Sequence, residues 1–220
     1  IGEPGAEGQP PVVEDVRGSL TPQLADDPDS VVVLIDLGGG RNRLGGSALA
    51  QVYGQLGDGV PDVEDPSLLT ALAGVLADLR DESLVLAYHD RSDGGLITAL
   101  LEMAFAGRVG LDVDVGAIGD PLAALFSEEI GVVLQVRRRD LHRVRDLCRE
   151  HGLDGLCREA AVVRSDGGIR IRAGEQVLVE RRRVDLHRIW SRTSWRMQRL
   201  RDHPDCADAE YDRLLDESDP

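Results

Sequence analysis

"LVLAYHDRSDGGLITALLEMAFAG", residues Leu84 to Gly107, is the stretch that decides the fold. It opens as a continuous apolar run (Leu84–Tyr88), the pattern of a strand buried in a sheet. A short loop of charges and glycines follows, then a helical stretch that ends at Gly107. Strand, glycine loop and helix in succession make the unit of an α/β protein. The same order stands upstream. "SVVVLID" (Ser30–Asp36) reads as a strand buried on both faces, and Gly38, Gly39 and Gly40 break it. "GSALAQVYGQLG" then reads as a helix with Leu49, Val52, Tyr53 and Leu56 at helical spacing.

Working outward, "DPSLLTALAGVLADLRD" predicts a helix with Asp65 as N-cap and Pro66 at its first position. "LDVDV" alternates as a half-buried strand, and "DPLAALFSEE" is a short helix capped by Asp120. "GVVLQV" is a strand. "RRDLHRVRDLCREHG" is an amphipathic helix with Leu141, Val144, Leu147, Cys148 and His151 near one face. "AAVVRSDGGIRIRAGEQVLVE" reads as successive strands with turns at Asp166–Gly168 and Gly174–Glu175. "VDLHRIWSRTSWRMQRL" is a long helix with Leu186, Ile189, Trp190, Thr193, Met197 and Leu200 on one stripe, and the acidic end is weakly patterned, like a linker. The expected fold is α/β, a mixed sheet with packed helices. Its domain runs over 29–190, between an N-terminal tail and lead-in (1–28) and a helix end with linker (191–220).

The bulk numbers narrow the function. A net charge of −15 argues against a broad nucleic-acid or anionic-membrane surface. The chain has no lysine, which rules out a lysine nucleophile within it. Three cysteines without a CxxC spacing suggest neither a disulfide framework nor a zinc site. Neither a signal peptide nor an apolar stretch of spanning length is apparent, so a soluble, cytoplasmic protein is expected. "IGEPGAEGQPP" reads as a disordered lead-in, and an initial Ile suggests a processed chain or excised fragment.

Two segments could bind an anion. In the first, Asp90 to Gly95, a helix start offers backbone N–H groups and a favourable dipole to a phosphate, and Gly94 and Gly95 allow close approach. Asp90 and Asp93 could hold Mg²⁺, Ser92 could bond to a phosphate, and His89 could be a base or a ligand. The alternative is an N-cap with a glycine turn. In the second, Gly45, Gly46 and Ser47 close a near P-loop, but Gly46 stands where the phosphate-binding lysine belongs. That loop is either an anion contact or a packing turn. The other "SDGG", Ser165 to Gly168, has no helix behind it and reads as a hairpin turn.

Beyond periodicity, "LIDLG", "NRLGGSALAQVY", "PDVEDP", "AYHDRSDGGL", "EMAFAGRVGLDVDV", "DPLAALFSEE" and "TSWRMQRLRDHPDCADAEYD" occur in an order that resembles the phosphoribosylformylglycinamidine synthase family, in its long single-chain form. The resemblance runs from about Val13 to the C-terminus. It departs at "GEPGAEGQP", where the family would continue an apolar strand, which suggests a chain cut or altered there. It implies the C-terminal half of the second aminoimidazole-ribonucleotide-synthetase-like repeat of a purine-biosynthesis ligase. That enzyme is a glutamine amidotransferase: ATP phosphorylates an amide oxygen of formylglycinamide ribonucleotide, and ammonia from glutamine displaces the phosphate. The implied partners are the N-terminal synthetase halves, the glutaminase domain and the ribonucleotide. The implied cofactors are Mg²⁺ and ATP or ADP. The resemblance makes Asp90 a Mg²⁺ ligand and Ser92 a nucleotide contact and places no catalytic residue in this chain; the family has a catalytic and a structural nucleotide site, either of which these residues could serve, the structural one being the expectation. The alternative is a non-catalytic nucleotide-binding or assembly module of the same superfamily, against which "TSWRMQRLRD" and "CADAEYD" argue.

Overall fold

Every residue of β1 (Ser30–Asp36) is buried, because the strand lies inside a seven-stranded sheet with helices on both faces. The structure, a computed structural model, describes residues 18–217; the lead-in expected to be disordered, Ile1–Pro11, lies outside them. The other strands are β2 (Val85–Asp90), β3 (Gly110–Asp114), β4 (Gly131–Arg137), β5 (Cys157–Arg164), β6 (Gly168–Ala173) and β7 (Gln176–Arg182). Their order is β2-β4-β1-β5-β3-β6-β7. Only the β3–β6 pair is parallel, so the sheet is mixed, as the alternation of strand and helix predicts.

Period-two alternation along β1 separates the two cores. Val31, Val33 and Ile35 face one layer, where Leu72, Val75 and Leu79 of α2 (Ser67–Asp81) meet Leu141, Val144 and Leu147 of α5 (Leu141–Glu150). Val32 and Leu34 face the other, which holds Leu96, Leu100 and Met103 of α3 (Gly95–Gly107) with Ala124 and Leu125 of α4 (Pro121–Phe126). Leu24, in the lead-in, is also a core residue of that second layer. The cap predicted for Asp120 forms, its carboxylate accepting from Ala123 N at 3.0 Å; at α2 the N-cap is Pro66, and Asp65, one residue earlier, accepts from Ser67 N at 2.9 Å. No helix among the described residues is long and apolar enough to cross a membrane.

Several expectations are corrected. Among the described residues the "LVLAY" strand lies at the sheet edge, and of β2 only Ala87 is buried. The helix expected over "GSALAQVYGQLG" is one turn, α1 (Ala48–Val52), and Val52, Tyr53 and Leu56 are exposed. The residue that stops α3 in the left-handed region is Arg108 (φ 57°), not Gly107. Gly107 is needed for another reason, since a Cβ there would lie 2.3 Å from Leu24 O.

The second "SDGG" is not a hairpin turn. β5 and β6 are not neighbours, because β3 lies between them. The turn therefore crosses the start of β3, where a Cβ on Gly110 would fall 2.4 Å from Gly168 O. On α6 (Arg183–Arg201) Ile189, Trp190, Met197 and Leu200 of the stripe are exposed, while Leu186 packs against the second core layer. The acidic end is helical over α7 (Pro204–Arg213), which packs on α6 through the stacked rings of Trp195 and Tyr211 and an Arg188–Asp212 ion pair.

Candidate functional site at the ends of β1 and β2

β1 and β2 both pair antiparallel with β4, so they run the same way and end on either side of it, opposite Gly131 and Val132. The two glycine loops leave from these ends. Sheet topology thus brings together segments about fifty residues apart, in the place where α/β sheets commonly present ligand sites.

A buried ion pair fixes the first loop. Arg91, 5% exposed, points inward between the outward Asp90 and Ser92. Its guanidinium donates to Asp36 Oδ1 at 2.5 Å and to the carbonyl oxygen of Glu129. Asp36 also accepts from Gly38 N (3.1 Å) and Gly40 N (2.8 Å), so the same carboxylate holds the second loop. Glu129 is buried and gripped through both oxygens by Arg43, at 2.6 and 2.9 Å. Burial acts to raise the Glu129 pKa, but the Arg43 hydrogen bonds outweigh it and hold the carboxyl below its ordinary value.

Glu128 joins the two helix starts. Its Oε1 accepts from Ala48 N at the head of α1 and Gly94 N at the head of α3, both at 2.8 Å. The position predicted to favour an anion is thus filled by the chain's own carboxylate. Gly95 N donates to Ser92 O at 2.9 Å. Both glycines have positive φ, 83° and 74°. In the second loop, Gly45 N donates to Gly59 O, Gly46 N to Leu56 O and Ser47 N to Leu44 O, while Ser47 Oγ caps Ala50 N. Those three residues form a packed turn with its amides used internally.

The remaining candidates separate. His89 is on the opposite face of β2 from the Asp90 carboxylate, with Nε2 3.1 Å from Glu102 Oε2; Trp190 Nε1 donates to the other oxygen of Glu102 at 3.0 Å. Asp90 is exposed and accepts from the Tyr88 hydroxyl; burial first, and this bond second, push the Tyr88 pKa up. Among the described residues, Ser92 and Asp93 are exposed and make no side-chain hydrogen bond. Mg²⁺ needs several oxygen ligands, and no group of three or more acidic, His or Cys side chains among the described residues could hold a metal. Asp90 alone can supply one carboxylate, so these residues do not make a Mg²⁺ site by themselves.

Arg91, Asp36, Glu128, Glu129 and Arg43 were not evident as a set in the sequence. Two signals could have found them: alternation carried past the strand end turns Arg91 inward, and "SEE" places two carboxylates directly before a buried strand.

Fold and site together define a class: a three-layer α/β module whose strand ends carry a glycine loop, internally pinned and open on one side. Residues 27–173 match the family described as AIR synthase related protein, C-terminal domain, and the chain belongs to that family. Solved structures agree on the fold. PurLQS from Thermotoga maritima aligns with a TM-score of 0.60 and 17% identity over 76% of this chain and 27% of that one. T. maritima PurL complexed with FGAR gives 0.60 and 18% over 76% and 29%. HypE from E. coli, a hydrogenase maturation protein, gives 0.52 and 21% over 74% and 52%. The chain spans little more than a quarter of the length of the PurL chains.

Proposed function

We propose that the chain is the C-terminal half of the second synthetase repeat in a long-form phosphoribosylformylglycinamidine synthase, and that it contributes one wall of a nucleotide site. The observation that carries this reading is the Arg91 pin: a buried guanidinium holds the loop while Asp90 and Ser92, on either side of it, face outward. A loop fixed from inside and open outside is preorganised to meet something beyond the chain. Family membership supports it, as do the T. maritima PurL structures solved with ATP and ADP.

In this reading Ser92 donates a hydrogen bond to the nucleotide and Asp90 offers a single carboxylate toward its Mg²⁺. Gly94 and Gly95 shape the turn instead of donating to phosphate, since their amides are engaged. Residues 29–190 form the synthetase half-domain, and 191–220 lead toward a glutaminase domain. The chain alone is inactive, because charge on a transferring phosphoryl group must be met from several sides and this half supplies few groups. ATP, Mg²⁺, the ribonucleotide and the cytoplasm belong to the whole enzyme.

The test is nucleotide retained by the full-length enzyme on purification, with turnover supported by ammonium. Asp90→Asn and Ser92→Ala lower retention, whereas Ser165→Ala and Asp166→Asn, in the other copy, leave it unchanged. Full retention in all four variants would overturn the site. Turnover by the 220-residue chain alone would overturn the half-domain reading. A second reading, a nucleotide-binding assembly module without synthase activity, is favoured by the HypE likeness, which covers 52% of that chain. It predicts retained nucleotide in an intact protein that never forms the amidine.

A further inference from the structure

At the far end of α3 from the glycine loop, α3, α6 and α7 enclose a second cavity. Its wall includes Arg108, Arg183, His187 and Arg213, together with Glu210 and Asp216. Arg183 stands out physically. It is 7% exposed, it lines the cavity, and its buried Nε has no hydrogen-bond partner. Its backbone N–H donates to Gly167 O at 2.9 Å.

A buried guanidinium nitrogen without an acceptor is expensive, since desolvating an ion costs several kcal/mol unless a hydrogen-bonded counter-charge repays it. Other positive groups stand close by: Arg108 and Arg183 both act on the His187 ring, in a chain whose overall charge is −15. Burial, then these two arginines, hold the His187 pKa below its usual value. Burial, then Arg108, lowers that of Arg183. Glu210 and Asp216 on the wall, and Glu217 beyond it, oppose this field without giving Arg183 Nε an acceptor. The guanidinium fork suits a tetrahedral oxyanion, which can accept from Nε and a terminal nitrogen together.

We propose that this cavity binds a phosphate group, with Arg183 as the buried donor and Arg108 and Arg213 at its rim. The site is separate from the glycine loop and does not depend on the function proposed above. The ligand is inorganic phosphate or a small phosphate monoester, which share the chemistry that Arg183 recognises.

Thermal unfolding of the 220-residue chain tests it, with inorganic phosphate and glycerol 3-phosphate as separate arms and chloride at matched ionic strength as control. A ligand at ten times its Kd raises the midpoint by about 4 °C for a domain of this size. Arg183→Met abolishes that rise yet melts no lower than the parent without phosphate, since it replaces an unpaired buried charge by an apolar chain of similar length. Arg213→Gln weakens binding about tenfold, the loss of one charge-assisted hydrogen bond, and keeps the test open if Arg183→Met does not fold. The His187 ring titration moves up when phosphate binds. Asp90→Asn leaves the response intact, so failure here and failure of the nucleotide site are distinguishable. A midpoint no higher in either phosphate arm than in chloride, or an undiminished rise in Arg183→Met, overturns the proposal. A response lost in Asp90→Asn would place the ion at the glycine loop and overturn it as well. A response to only one of the two compounds supports the site and identifies its source.

Discussion

Residues Arg91–Gly95 and Arg164–Gly168 are the same five residues, RSDGG, folded in two different ways. In the first, the arginine turns inward to a buried carboxylate, the serine and aspartate face out, and both glycines are left-handed. In the second, the arginine folds over its own loop onto Asp166, whose carboxylate also takes Gly168 N at 3.0 Å, and only Gly167 is left-handed. The arginine of the second copy pairs within its own loop; that of the first pairs across the sheet. Local sequence therefore does not choose between them. Asp36, at the end of β1 one strand removed from β2, does.

The largest test of this contrast is to remove each arginine. Arg91→Ala leaves the Asp36 carboxylate buried and unpaired, which costs about 3–5 kcal/mol. Arg164→Ala breaks a pair whose Asp166 side chain is largely exposed, and costs about 1 kcal/mol or less. Urea unfolding of both variants measures the difference, and equal losses would dissolve the comparison. The glycines come next. Gly95 sits at φ 74°, and a Cβ there would meet Leu125 O at 2.7 Å, so Gly95→Ala costs about 2–4 kcal/mol. At Gly168 the nearest atom, at 3.1 Å, is the movable end of Arg164, and Gly168→Ala costs less than about 1 kcal/mol by the same unfolding measurement.

A smaller effect belongs to Glu128. Glu128→Ala frees two amides that its carboxylate now satisfies, a loss of about 1–3 kcal/mol, whereas Glu128→Gln keeps one acceptor oxygen and loses less. Phosphate or sulfate binding gained by Glu128→Ala, followed by calorimetry, would show that the two helix starts suit an anion once their own is removed. The smallest effect is one of pH. The hydrogen bond from Arg164 first, then that from Gly168 N, depress the Asp166 pKa to about 2. Its folded value lies below the unfolded one of about 3.9, so its contribution is present above pH 4 and lost as pH falls toward 2. Glu129, also depressed, titrates in the same direction. In melts from pH 5 to 2, Arg164→Ala should lessen the midpoint drop slightly; an unchanged slope would mean that the surface pair contributes nothing.

By itself the sequence determined the strand–loop–helix units, the mixed α/β class, the capping role of Asp120, and the glycine loop that leads from β2 into α3. These rest on periodicity and on contacts between residues a few positions apart, which a linear reading can follow. It missed that Tyr88, His89 and Asp90 lie on an edge strand, that the second RSDGG crosses over β3, and that Glu128 fills the anion position. The apolar stripe of α6 was legible as spacing, but not how much of it is covered, because amphipathic spacing is the same whether or not a partner covers it. Burial, strand order and the choice of counter-charge belong to residues far apart in sequence, such as Asp36 with Arg91 or Gly110 with Gly168. Only the tertiary structure decides those pairs, because the sheet sets the distances at which charges pair and backbones collide.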